Sequence, residues 1–183
     1  MKYRNSFFVI TGGPGAGKTT LVEALKRQGF RGVDEPGRRI IQTQTKFGGR
    51  AIPWLEPELY AEVELAVSIS NFLGTNPAET TFFDRGIADV IGLLVWLKLP
   101  VPAYVIEAAR RLRYNATAFI APAWEDIYVT DEERPQSFSE ASTVYDAMIK
   151  AYTLVGYNLI HLPRSSVSNR VNFVRGVLMT NTD

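Results

Sequence analysis

An α/β sandwich built on a mostly parallel sheet is the fold class that this chain predicts, and three observations predict it. Short β-rich apolar runs alternate with helical patterns along all 183 residues. Hydrophobic residues make up 46% of the chain, enough for a core of its own. No internal repeat, low-complexity segment or linker divides it, so residues 1–183 are expected to form one domain.

The first element, SFFVITG at 6–12, is a short β-rich run. Leu21, Ala24 and Leu25 then recur at helical spacing until Gly29 supplies a stop, which gives strand, glycine loop and helix. FRGVDE is a weaker strand. PELYAEVELAVSISNFLG places Leu59, Val63, Ala66, Ser70 and Leu73 on one helical stripe, and TTFFDRG is a strand that ends in charge. IADVIGLLVWL and AYVIEAARRLR read as helices separated by Pro100 and Pro102, and ATAFIAP returns to a strand. In SFSEASTVYDAMIKAYTLVG, Ser137 and Glu140 have the spacing of a capping box; Val144, Met148 and Ala151 line one face, and Gly156 closes the helix. NLIHLP is the last strand. The last helix follows a Ser166 cap with Val167, Val171, Val174 and Leu178.

Composition excludes several chemistries. Twenty basic against nineteen acidic side chains give a formal charge of +1, so no global field draws the chain to nucleic acid or an anionic membrane; any anion site is local. The absence of cysteine removes disulfides and thiolate chemistry, and the single histidine, His161, leaves little for zinc. The longest apolar run, VIGLLVWL at 90–97, is far below the roughly 20 residues of a membrane span. MKYRNSFFVI passes into glycines too soon for an export signal. A cytoplasmic location is the expectation.

The stretch GGPGAGKT at 12–19 satisfies G-x-x-x-x-G-K-[ST] between a strand and a helix, the context in which that pattern holds phosphate. Gly12, Gly13, Pro14, Gly15, Ala16 and Gly17 form the loop whose N–H groups turn inward, and the helix beginning near Lys18 adds its positive end. Lys18 brings a full charge to the β and γ phosphates of ATP. Thr19 offers a hydroxyl to Mg2+. Thr20 is either a further phosphate contact or a surface threonine.

The remaining carboxylates discriminate among chemistries. Asp84, ending FFD, is either an acid approaching magnesium or the cap of the next helix. Arg85 either binds substrate or pairs with a carboxylate. Glu35 in VDEPGRR emerges on the same sheet edge as the loop, where it could take a proton from an attacking hydroxyl; strand alternation turns Asp34 the other way. Arg38 and Arg39 are clamps for an acceptor or surface charges. AWEDIYVTDEERPQ has the composition of a lid (about 123–137), with Arg134 either swinging over the transferring phosphoryl group or pairing with Asp131 or Glu132. A second loop at 47–57 carries Trp54, an aromatic wall for an acceptor or a packing anchor. His161 reads as a core or edge histidine, and Arg164 follows the last strand where adenine would lie.

Together, GGPGAGKTT, DEPGRR, FFDRG and DIYVTDEERPQ resemble the P-loop kinase-like ATP-binding domains, near the ribosylnicotinamide and nucleoside kinases. More closely, the chain resembles a bacterial group of small NTPases in the AAA-domain naming tradition, over nearly its whole length. EPG with a following DR is also similar to thymidylate kinase. The resemblance implies a three-layer fold with a five-stranded parallel sheet in the order 2-3-1-4-5, an ATP site on the loop, and a lid bearing arginine. It implies Lys18 and Thr19 at phosphates and magnesium, Glu35 or Asp84 as base or metal-side acid, and Arg85 and Arg134 as charge stabilisers. Where nucleotide kinases carry two or three lid arginines, this chain has one obvious candidate, which weakens the case for an already phosphorylated acceptor.

Two readings follow. One is a magnesium-dependent kinase for a small hydroxyl-bearing acceptor such as a nucleoside or ribosyl compound. The other is an ATPase or nucleotide-dependent switch acting on a protein partner. A GTPase lacks its N-K-x-D motif here, and near-neutral charge without a basic-aromatic stripe argues against a nucleic-acid substrate.

Overall fold

The computed structural model describes residues 2–129 and 137–180. Five parallel strands form the main sheet: β1 (Phe7–Gly12), β2 (Arg31–Val33), β3 (Thr81–Asp84), β4 (Thr117–Ala121) and β5 (Asn158–His161). Their order is β2-β3-β1-β4-β5, as the resemblance implied. The helices between them are α1 (Lys18–Arg27), α2 (Pro36–Phe47), α3 (Pro57–Gly74), α4 (Ile87–Trp96), α5 (Ala103–Arg111), α6 (Phe138–Leu154) and α7 (Val167–Thr180). Lys2–Tyr3 and Leu112–Arg113 form a separate two-stranded parallel ribbon.

Strand alternation builds the three layers. All six residues of β1 are buried; Phe7 and Val9 face α3, α4, α5 and α6, whereas Phe8 and Ile10 face α1 and α7. The larger face is rich in rings: Phe7 meets Phe72 edge-on at 5.5 Å, and Tyr114 meets Phe72 at 4.9 Å. VIGLLVWL lies in and just beyond α4, whose residues Ile87 to Gly92 are buried without a break. None of the described helices is long and apolar enough to cross a membrane.

One helical face differs from its sequence pattern. The stripe expected on α3 is displaced: Leu59 and Leu73 are exposed, and Tyr60, Ala61, Glu64, Leu65, Ser68 and Phe72 are buried instead. The helix carries apolar residues nearly all round, so periodicity alone could not choose between faces one residue apart. Phe72 decides it by packing into the ring cluster beneath β1, and that choice brings Glu64 inward.

The caps agree with the sequence. Ser137 and Glu140 form the capping box of α6, with Ser137 N–H donating to Glu140 at 2.7 Å. Asn169 N–H donates to Ser166 Oγ at 3.3 Å at the start of α7. Arg113 closes the other end of α6 by donating to the carbonyls of Val155 and Gly156, its guanidinium 3.8 Å from the centre of the Tyr157 ring.

The register places the chemistry. Ile10 pairs with Asp84, and Gly12 with Ala121, so the glycine loop leaves β1 just above the end of β3. Glu35 follows β2 by two residues. All three reach the carboxyl edge of the sheet, where parallel α/β sheets bind their ligands.

Candidate functional site

The loop between β1 and α1 is shaped by contacts that tolerate no side chain. Gly12 has φ +131°, and a Cβ there would run into the Ala121 carbonyl; at Gly13 a Cβ would come within 2.5 Å of the Ala141 carbonyl of α6. Gly17, at φ 77°, precedes α1, whose first turn has neither a side-chain cap nor an acidic residue. Its leading N–H groups and positive dipole end are therefore left for an anion. Lys18 is buried and donates to the Gly13 carbonyl at 2.7 Å, which folds its ammonium back across the loop.

Thr19 and Asp84 meet beside it. Thr19 Oγ1 donates to Asp84 Oδ2 at 2.6 Å, while Asp84 Oδ1 is buried with no hydrogen-bond partner. Burial first, and then the charge of Glu35, raise the Asp84 carboxyl to about 6 against the pull of Lys18. A hydroxyl beside an orphaned buried carboxylate oxygen is a hard-oxygen donor pair that fits magnesium, which takes one or two protein ligands and fills its shell with phosphate and water. Among the described residues no group of three or more His, Cys, Asp or Glu could hold a metal by itself. Asp84 does not cap α4: Gly86 occupies that position, and Asp89 accepts the Gly86 N–H at 2.7 Å.

Asp89 organises the centre of the site, and no sequence motif points to it. It is 2% exposed and accepts from Thr11 Oγ1 at 2.7 Å, Tyr152 OH at 2.6 Å and Arg85 Nη1 at 3.0 Å, in addition to Gly86. Arg85 also donates to Glu35 at 2.7 Å and to the Gly12 carbonyl at 3.3 Å. Its guanidinium thus ties the end of β2, the start of the loop and α4 together. Burial alone would lower its pKa, yet Glu35 and Asp89 raise it well above the ordinary value. Arg85 holds φ 73°, a left-handed conformation that costs a residue bearing a Cβ about 1 kcal/mol or more, and these contacts hold it there.

Three hollows border Glu35; one of about 760 Å³ lies between β2, α2 and α3, and the other two flank the phosphate loop and Arg85. The larger of these two, about 730 Å³, is lined by the loop from Gly15 to Thr20, by Trp124 and Ile127, and by Ser165, Ser166 and Arg170. The smaller encloses about 110 Å³ between Arg85, Asp89, Glu64, Trp54, Trp96 and Met148. Glu35 and Arg38 line both.

The other sequence candidates are placed unevenly. Trp54 is 58% exposed at the smaller hollow, Thr20 faces the larger one, and Arg39 is exposed and lines neither. Asp34 pairs with Lys26 at 2.5 Å but lines the larger hollow together with Glu35; both follow the last strand residue, Val33, so strand alternation does not separate them. Ser165 and Ser166 bring the LPRSS turn to the larger hollow, but Arg164 does not line it. His161 is an exposed residue of edge strand β5, 2.8 Å from the Tyr145 hydroxyl. Arg134 lies outside the described residues. The part of the expected lid that precedes it does approach the loop: Tyr128 sits against Gly15, and Trp124 flanks the larger hollow.

Besides Asp89, sequence reasoning missed Arg170 and Glu64. Arg170 of α7 is 2% exposed, donates to the Ala16 carbonyl at 2.8 Å and lies 5.1 Å from the Trp124 ring centre, so it braces the phosphate loop from behind. Glu64 is buried beside Tyr60, whose hydroxyl bonds to it, and burial raises its carboxyl to about 7. The folded protein therefore favours protonated Glu64, and stability is lost as pH rises from its ordinary 4.5 towards about 7. Above that range the loss is on the order of 3 kcal/mol. Glu64→Gln, which cannot ionise, is expected to track the wild type in urea denaturation near pH 4 and to exceed it near pH 8 by up to that amount. Equal stabilities at both pH values would dispose of the buried-acid assignment.

Comparison with known proteins bears on this geometry. A family model described as an AAA domain matches residues 7–170. The chain belongs to that family. As an AAA domain it carries the nucleotide-binding P-loop where the register placed it. None of the curated proteins matches the chain in sequence. In structure, this AAA domain is similar to thymidylate kinase from Candida albicans, with TM-score 0.71 and 11% identity over 97% of this chain and 92% of that one. It is also similar to deoxyadenosine kinase from M. mycoides, with TM-score 0.67 and 13% identity over 95% and 99%. Shikimate kinase from Acinetobacter baumannii gives TM-score 0.59 and 16% identity over 96% and 93%. At these identities the likeness establishes a shared fold.

Proposed function

We propose that the chain is a magnesium-dependent kinase that transfers the γ-phosphoryl group of ATP to a small hydroxyl-bearing acceptor, in the class of nucleosides and ribosyl compounds. The observation that carries this reading is the position of Glu35, shared by the hollow over the phosphate loop and by the smaller hollow beside it. A phosphate on the loop and a hydroxyl in the smaller hollow would converge on that carboxylate.

Each part then has a role. The loop from Gly12 to Thr19 cradles the phosphates with its N–H groups, and Lys18 swings from the Gly13 carbonyl to the β and γ oxygens. Thr19 and Asp84 would hold magnesium, which would supply positive charge against the phosphates. Glu35 accepts the acceptor's proton as its oxygen bonds to the γ phosphorus and the bond to the ADP oxygen breaks. Arg85, held between Glu35 and Asp89, keeps Glu35 aimed; it acts as a positioning residue. Arg38 at the junction of the hollows and Arg134 of the lid steady the growing charge, and Trp54 walls the acceptor side. The kinases sharing the fold support this assignment without supplying the acceptor.

The test is ADP formation from Mg-ATP, with and without pooled nucleosides and ribosyl compounds, using Lys18→Ala as the blank. ADP that rises only with a pool is the expected result. Slow ADP formation indifferent to every pool would favour an ATPase or switch that acts on a protein partner.

A further inference from the structure

The smaller hollow has a charge balance that restricts what can enter it. Glu35, Asp89 and Glu64 face it, against Arg85 and Arg38. Arg85, with only 11% of its side chain exposed, is bound by Glu35 at 2.7 Å and by Asp89 at 3.0 Å, so the positive charge at the floor is already matched. A phosphate or carboxylate brought to that floor would lie against Glu35 and Asp89, which already hold the Nε and Nη1 edges of the guanidinium. Hydroxyl or N–H donors meet the reverse situation, because carboxylate oxygens only accept when ionised. Leu93, Trp96 and Met148 supply an apolar flank, and Trp96 can face a cation as readily as a neutral ring. The hollow holds about 110 Å³ and is open to solvent beside the exposed Trp54, so it admits no more than about one ring, with the remainder of a ligand extending past Trp54.

Glu64 is the distinctive member of this set. It comes from α3 rather than from the sheet edge, and the face shift that buries Phe72 also turns it inward. It is not one of the ion pairs that run from Glu35 through Arg85 to Asp89, although the Arg85 charge is near enough to oppose the rise of its carboxyl. Its oxygens lie beside the Tyr60 hydroxyl on the hollow's wall, away from the phosphate loop.

We propose that the smaller hollow selects an uncharged or cationic ring-bearing ligand and rejects phosphorylated or carboxylated ones, with Glu64 as the residue that reads a donor or positive charge on the ring. Calling this ligand the phosphoryl acceptor rests on the kinase reading above; the charge preference of the hollow does not.

Binding separates the two. Trp54 and Trp96 line the hollow, so intrinsic fluorescence of the full chain with ADP present reports occupancy without turnover. The probes are thymidine against thymidine 5′-monophosphate, a pyridinium riboside against its 5′-phosphate, and shikimate. At least one uncharged or cationic compound is expected to bind about tenfold or more tighter than its phosphorylated counterpart and than shikimate. At pH 8, where Glu64 is ionised, Glu64→Gln is expected to erase about tenfold of the pyridinium riboside's affinity, with ADP affinity read in parallel as the control for folding. A monophosphate or shikimate that binds as tightly as the best uncharged or cationic probe overturns the proposal, as does failure of all such probes to bind. Occupancy without ligand-dependent ADP formation would remove the kinase reading and keep the selectivity. ADP formation that depends on a monophosphate would do the reverse.

Discussion

Glu35→Gln is expected to slow phosphoryl transfer by roughly 10²- to 10⁴-fold while leaving nucleotide affinity nearly unchanged. The substitution keeps the shape of the side chain, and its amide oxygen can still accept from Arg85 Nε, now at 2.7 Å from the carboxylate. Arg85 also retains Asp89 and the Gly12 carbonyl, so the loop stays in place. What disappears is the capacity to take a proton. A second consequence follows from electrostatics. Glu35 is the second cause, after burial, of the raised Asp84 carboxyl at about 6, so its neutralisation lowers that value. Mg-nucleotide affinity, which requires ionised Asp84, should therefore persist to lower pH in the variant than in the wild type. Lys18→Ala should weaken nucleotide binding itself. Single-turnover measurements beside equilibrium titration distinguish these patterns, and equal loss of binding in both variants would refute the division of labour.

What could be read from the chain, and what could not, divides along contact distance. The phosphate loop was legible because eight contiguous residues carry the whole requirement, strand and helix included. Sheet order came from resemblance, since nothing in the spacing of β2 and β3 says which lies at the edge. Glu35 and Asp84 stood out because one follows a strand by two residues and the other ends one, and the edge of a parallel sheet is a known place for ligands. Their different surroundings were not legible, because Thr19 reaches Asp84 across 65 positions and Arg85 reaches Glu35 across 50. Asp89 was invisible for the same reason: within IADVIGLLVWL it reads as one polar residue in an apolar helix, and its partners Thr11 and Tyr152 are 78 and 63 positions away. Glu64 was hidden by a periodicity nearly as good one residue over. Arg170 gave no signal, lying 154 positions from the Ala16 carbonyl that it supports.

Asp89→Ala is expected to destabilise the folded chain by about 3–5 kcal/mol, a large share of the 5–15 kcal/mol typical of a domain. The carboxylate is 2% exposed and accepts four donors: the Thr11 and Tyr152 hydroxyls, the Gly86 N–H and Arg85. Truncation strands all of them where water is scarce, and the Arg85 charge loses one of its two counter-charges. Asp89→Asn should cost less but not nothing. Thr11 and Arg85 share Oδ1, whereas Tyr152 and Gly86 share Oδ2. An amide can offer its oxygen to only one of those pairs, and its NH2 then opposes either the Gly86 N–H or the Arg85 guanidinium. Denaturant titration at neutral pH should rank the wild type above Asn and Asn above Ala, with m-values unchanged. Loss of less than about 1 kcal/mol in the alanine variant would mean that the network is not the structural centre its geometry implies. The same substitution should also reach the chemistry: with Asp89 gone, Arg85 is held at its far end only by the Gly12 carbonyl, and Glu35 loses the fixed partner that aims it. Turnover of Asp89→Asn, measured well below its unfolding temperature, should fall while its ADP affinity stays near the wild type, because no Asp89 contact reaches the residues that cradle the phosphates beyond Gly12.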